Sequence, residues 1–93
     1  MKKWNSVVIL GVDIPIVYKD LGDGMYGEYS YARRTIYMNT NRKAHWSHSV
    51  LLHEIIHAIL DISAITIILP KKWEEMIVCA IENGLKPLIR FIF

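Results

Sequence analysis

The stretch at residues 50–60 is apolar at every position except His53, Glu54 and His57. Its hydrophobicity is that of a buried helix. Ser47 or Ser49 is placed to cap it, and its apolar positions are Val50, Leu51, Leu52, Ile55, Ile56, Ile59 and Leu60. The apolar character continues through residues 55–69, but His57, Asp61, Ser63 and Thr66 interrupt it and Pro70 ends it. A membrane-spanning helix needs roughly 20 mostly apolar residues, so this segment is not read as transmembrane.

The chain before this helix reads as strands: residues 6–10, 14–19, 25–31 and 34–39. Gly11-Val12-Asp13 and Leu21-Gly22-Asp23-Gly24 supply turns, and Pro15 suggests an edge or strand-start position. In the fourth segment Ile36 and Met38 fall on one face and Thr35, Tyr37 and Asn39 on the other. Short connections leave no room for crossover helices, which predicts an antiparallel sheet. After the first helix, residues 63–69 fit a loop or a short strand. Pro70 suits the first turn of a last helix that reaches at least Asn83-Gly84 and can resume over residues 85–93. The expected fold is one α+β domain over residues 1–93, a small antiparallel sheet of three or four strands packed on the motif helix with a C-terminal helix.

Composition narrows the function classes. A net charge of +2, with Lys and Arg scattered as pairs such as Arg33-Arg34 and Lys71-Lys72, argues against nucleic acid. One cysteine, Cys79, allows no intramolecular disulfide and suits a reducing, cytoplasmic setting, and its apolar surroundings read it as a small core residue. Lys2-Lys3 is followed by Trp4-Asn5-Ser6, which is not the pattern of a signal peptide.

Two histidines four apart on a helix share one face, so both imidazoles reach one metal ion. A glutamate directly after the first lies beside that pair, placed to deprotonate a water whose pKa the ion lowers to about 7. His53, Glu54 and His57 have this spacing, and burying them without a partner or a metal would be costly. A catalytic site needs a third protein ligand. Asp61 extends the same face, but it lies roughly 12 Å along the axis from His53 at 1.5 Å per residue. It fits better as a partner orienting His57, or as a solvent-facing residue at the helix end. Glu74 shares its face with Ile77, Val78, Ile81 and Leu85, whereas Glu75 shares a more polar one with Cys79, Glu82 and Lys86. Glu74 is therefore the first candidate for the third ligand and Glu75 the second. His45 and His48 read as solvated linker residues. Tyr31, Tyr37, Arg33 and His48 are the candidate donors to an oxyanion.

The order of Gly27-Glu28-Tyr29-Ser30, Arg34-Thr35-Ile36-Tyr37-Met38-Asn39, Leu51-Leu52-His53-Glu54-Ile55-Ile56-His57-Ala58 and a downstream Glu74-Glu75 helix resembles the small phage and bacterial zincin-like proteins related to the ImmA/IrrE metallopeptidase family. The resemblance implies a zinc metallopeptidase with His53 and His57 as ligands, Glu54 as general base and Glu74 or Glu75 as third ligand. It also implies a regulatory protein as substrate, received as an added strand along the sheet edge, a role residues 34–39 would fill. Zinc suits His and carboxylate ligands, and Mn²⁺ or Fe²⁺ are compatible. The expected partner is a protein or peptide, with no nucleic acid and no membrane. The competing readings are a non-catalytic binding module that keeps the fold and metal site, and a structural zinc site. Residues 62–69 and 91–93 would then be an interface, and the same segments would form any homodimer.

Overall fold

A computed structural model describes residues 3–41 and 47–93. Four strands, β1 (Ser6–Ile9), β2 (Val12–Lys19), β3 (Gly27–Ser30) and β4 (Thr35–Asn39), are followed by α1 (His48–Ile62), a 3-10 turn (Ile65–Ile67), α2 (Lys71–Leu85), a second 3-10 turn (Lys86–Leu88) and the short α3 (Ile89–Ile92). The fold is α+β. Among the described residues no helix is long and apolar enough to cross a membrane. His45, expected in a solvated linker, lies outside the described residues.

The sheet order is β1-β2-β4-β3, and the sheet is mixed, not antiparallel as expected. β1–β2 and β3–β4 are antiparallel, whereas β2 and β4 run parallel. The parallel pair needs no crossover helix because β3 intervenes in sequence, and the β3–β4 hairpin folds back so that its second strand enters between β2 and β3. Pro15 sits at the middle of β2, not at its start. Residues 12–15 pair with β1 and residues 16–19 with β4, so Pro15 stands where the partner changes. Its missing N–H therefore breaks neither ladder internally. The β1–β2 turn is Leu10-Gly11, both with positive φ (48° and 81°), the paired left-handed geometry that matches strand twist.

Asn39 closes the long β2–β3 connection. It is fully buried. Its Oδ1 accepts the N–H groups of Leu21 and Asn41, both at 2.9 Å, and its Nδ2 donates to the carbonyls of Gly22 (2.7 Å) and Met25. One amide at the end of β4 thus satisfies backbone groups along a loop that must arch over that strand.

Helix α1 starts at the Ser47 cap, whose Oγ accepts the Val50 N–H at 3.3 Å. It is covered from two sides. Leu51, Ile55 and Ala58 pack on Ile14, Ile16, Tyr29, Ile36 and Met38 of the sheet. Leu52, Ile56 and Leu60 pack on Val78 of α2. The segment left open between loop and strand is a 3-10 turn entered through Ala64 at φ 66°. α2 continues through Asn83-Gly84 without a stop, and Phe93 returns to pack on Trp4 and stack on His48, with ring centroids 4.8 and 4.7 Å away.

Gly27 permits a close approach between β3 and α1. A Cβ there would lie 2.9 Å from Val50 Cγ1, 3.2 Å from the Tyr37 carbonyl oxygen and 3.4 Å from Glu54 Cγ. Gly27→Ala is therefore expected to destabilise the protein by about 1–3 kcal/mol in urea unfolding, the usual cost of overpacking. Gly24→Ala, where a Cβ meets nothing within 4 Å, serves as the control and should be neutral or slightly stabilising. Asn39→Ala, which strips partners from buried peptide groups, should cost about 2–4 kcal/mol in the same measurement.

Candidate metal centre

Beside the apolar rows that α1 gives to the sheet and to Val78 of α2 lies a polar strip carrying His53 and His57, with Glu54 beside them against β3. These residues line a cleft of about 570 Å³ between β3 and the start of α2. The i, i+4 spacing puts the two imidazoles one turn apart, with ring centroids 5.0 Å from each other.

Glu75 bridges the rings on the cleft side. Its Oε1 lies 2.9 Å from His53 Nε2 and its Oε2 lies 3.1 Å from His57 Nε2. Carboxylates also hold the far nitrogens: Glu82 Oε1 is 2.9 Å from His53 Nδ1, and Glu74 Oε2 is 2.6 Å from His57 Nδ1. Among the described residues, the group whose ligand atoms all lie close enough for one ion, within 4.8 Å, is His53, His57 and Glu75.

The two glutamates considered for the third ligand are thus both at the site, in different places. Glu74 does face inward, with a side chain only 6% exposed against 55% for Glu75. Turning inward takes it to the outer nitrogen of His57, where it also accepts the Tyr31 hydroxyl. Glu75, on the flank of the helix, reaches over the top of both rings. The inward face of α2 is narrower than the apolar pattern suggested, since Ile77 and Ile81 are 36% and 40% exposed. Asp61 does not orient His57; its Oδ2 accepts the Tyr29 hydroxyl at 2.6 Å.

Glu54 is buried, and its carboxylate accepts the backbone N–H of Tyr29. That contact follows from the sheet. The Tyr26 carbonyl accepts the Asn39 N–H, so alternate β3 residues face β4 while Gly27 and Tyr29 turn their peptide groups to the free edge. The edge strand beside the cleft is therefore β3; residues 34–39, expected in that role, lie inside the sheet.

The charges respond to this crowding. Burial pushes the Glu54 carboxyl above the usual carboxylate range, with His53 and His57 pulling the other way. Burial lowers the affinity of His53 for a proton, but the Glu82 hydrogen bond and the charges of Glu54, Glu75 and Glu82 outweigh it, so its pKa is raised. Burial, followed by the Glu74 hydrogen bond, pushes the Tyr31 phenol far up, which keeps it a donor. Of the four candidate oxyanion donors, Tyr31 lines the cleft. Arg33 instead donates to the Tyr37 hydroxyl at 3.3 Å, and His48 stacks on Phe93. Cys79 lies behind Glu75, 3.8 Å from its Oε1, with its thiol pKa raised by burial and by that carboxylate.

The donor set fits a divalent metal. If all four ring contacts were hydrogen bonds, both imidazoles would carry a proton on each nitrogen, placing two positive charges between three glutamates. A dication held by the Nε2 atoms and Glu75 supplies the same charge and leaves the rings neutral, and two imidazoles with one carboxylate are ligands zinc accepts. No family model matches this sequence, and no curated protein or solved structure gives a significant match to it.

Proposed function

We propose that this chain is a zinc-dependent metallopeptidase domain of a minimal zincin-like kind, with His53, His57 and Glu75 as ligands and Glu54 as general base. The observation that carries this reading is the convergence of both Nε2 atoms on Glu75 beside the buried, cleft-lining Glu54. Glu74, the ligand first expected, takes the part of holding His57. When bound, the ion would supply Lewis acidity, polarising a carbonyl and lowering the pKa of a water to about 7. Glu54, its proton affinity raised by burial, takes the proton from the attacking water and passes it to the leaving amine. Apart from the Tyr29 N–H that Glu54 holds, the peptide groups that β3 turns outward offer an extended substrate an edge on which to add as a strand. A regulatory protein in a phage or mobile-element setting, and a cytoplasmic location, complete the reading through the ImmA/IrrE resemblance.

A second reading has an observation of its own. Ile67, Ile68, Trp73 and Met76 are 81%, 84%, 50% and 63% exposed, and none of them lines the cleft. A non-catalytic binding module that retains the metal site would use them.

Metal analysis separates the ligand assignments. Protein purified without added metal or chelator should carry near-stoichiometric zinc, lost in His53→Ala and Glu75→Ala and only weakened in Glu74→Ala. Zinc retained in Glu75→Ala and lost in Glu74→Ala would return the third-ligand role to Glu74. Saturating zinc at about 100-fold above its dissociation constant should stabilise the fold by about 2.7 kcal/mol, seen as a higher unfolding midpoint that a chelator reverses. Glu54→Gln should keep zinc and lower peptide cleavage by about 10²–10⁴-fold in a mass-spectrometric peptide-pool assay. Undiminished function in Glu54→Gln would favour the binding module.

A further inference from the structure

Glu82 stands two turns beyond Glu75 on α2, outside the His-Glu-x-x-His motif and outside the lining of the cleft that holds Glu75. Its carboxylate is committed on both oxygens. Oε1 lies 2.9 Å from His53 Nδ1, and Oε2 accepts the Ser49 hydroxyl at 2.8 Å, with Lys86 Nζ 3.6 Å from the same oxygen. The side chain is only 14% exposed. Ser49 and His53 are one turn apart on α1, so this one carboxylate spans a full turn of the neighbouring helix.

An ionised carboxylate only accepts hydrogen bonds. Its contact with Nδ1 therefore requires the proton of a neutral His53 to sit on Nδ1, which leaves the Nε2 lone pair facing Glu75. The Ser49 hydroxyl holds the second oxygen and stops the carboxylate from turning away. Lys86, half exposed and just past the end of α2, adds little. We propose that Glu82 is the positioning residue of His53: it fixes the tautomer and ring plane of that imidazole and thereby sets metal affinity, with Ser49 locking Glu82 in place. This rests on the metal-centre reading given above.

The test is zinc affinity at one fixed pH, by competition with a chromophoric chelator, together with thermal unfolding of the metal-free proteins. Glu82→Leu removes both oxygens, Glu82→Gln keeps an acceptor for the Nδ1 proton, and Glu82→Asp keeps the charge but withdraws it by about one carbon–carbon bond. Glu82→Leu is expected to weaken zinc binding by roughly 10–100-fold. Glu82→Gln should retain most of the wild-type affinity, with a metal-free unfolding midpoint close to wild type. Glu82→Asp, the variant to rely on where Leu does not fold, should lose affinity several-fold. Wild-type affinity in Glu82→Leu or Glu82→Asp, or a loss in Glu82→Gln as deep as in Glu82→Leu, would overturn the positioning role while leaving the metal centre standing. Wild-type protein that takes up no zinc would instead remove the metal centre itself, and this inference with it.

Discussion

Helix α1 gives one side to the sheet and another to α2, and everything else in the structure is arranged around that double burial. Leu51, Ile55 and Ala58 meet the strands, while Leu52, Ile56 and Leu60 meet Val78. Beside the row that meets Val78 runs a narrow polar strip carrying His53 and His57, flanked by Glu54, and the acids of α2 reach across to it. A helix buried on two sides is held rigidly in rotation, because turning it would pull apolar side chains into water on one side and drive polar ones into the core on the other. The two imidazoles inherit that rigidity. Gly27 brings β3 against the same helix and sets Glu54 beside the free edge of the sheet.

α2 answers α1 with carboxylates. Glu74, Glu75 and Glu82 come from one helix and meet the two histidines at all four ring nitrogens. Such a concentration of negative charge in a partly buried cleft would be self-repelling without positive charge between the side chains. The tyrosines of the β3 end complete the surround. Tyr29 donates to Asp61 and Tyr31 to Glu74, so each of these acids has a hydrogen-bond donor on its carboxylate.

Much of this is legible along the chain, and the rest is not for identifiable reasons. The four strands, both long helices and the pairing of His53 with His57 follow from local periodicity. The parallel β2–β4 pair does not, because it joins strands that are not neighbours in sequence, and the entry of β4 between β2 and β3 leaves no local trace. Pro15 read as an edge or strand-start residue because its tolerance inside β2 depends on a change of partner. Asn39 read only as sharing the face of Thr35 and Tyr37, opposite Ile36 and Met38, and nothing in that alternation shows that the β2–β3 loop crosses over it and buries it. Serine and asparagine side chains such as Ser49 and Asn39 acquire their roles from distant backbone or side chains, a signal that spacing along the chain cannot carry.

What the sequence by itself determined is the chemistry on offer: two imidazoles and a carboxylate on one helical face, with further acids downstream on a second helix. That follows from the fixed 3.6-residue period, which settles neighbours within a helix without reference to anything else. The tertiary structure alone decided which acid meets which ring nitrogen. Glu74 and Glu75 differ by about 100° around α2, and only the packing of that helix on α1 turns the buried one to the outer face of His57 and the exposed one across both Nε2 atoms. Docking between helices sets such angles, because the interlocking of side chains at their contact, not the composition of either helix, selects the rotation at which they meet.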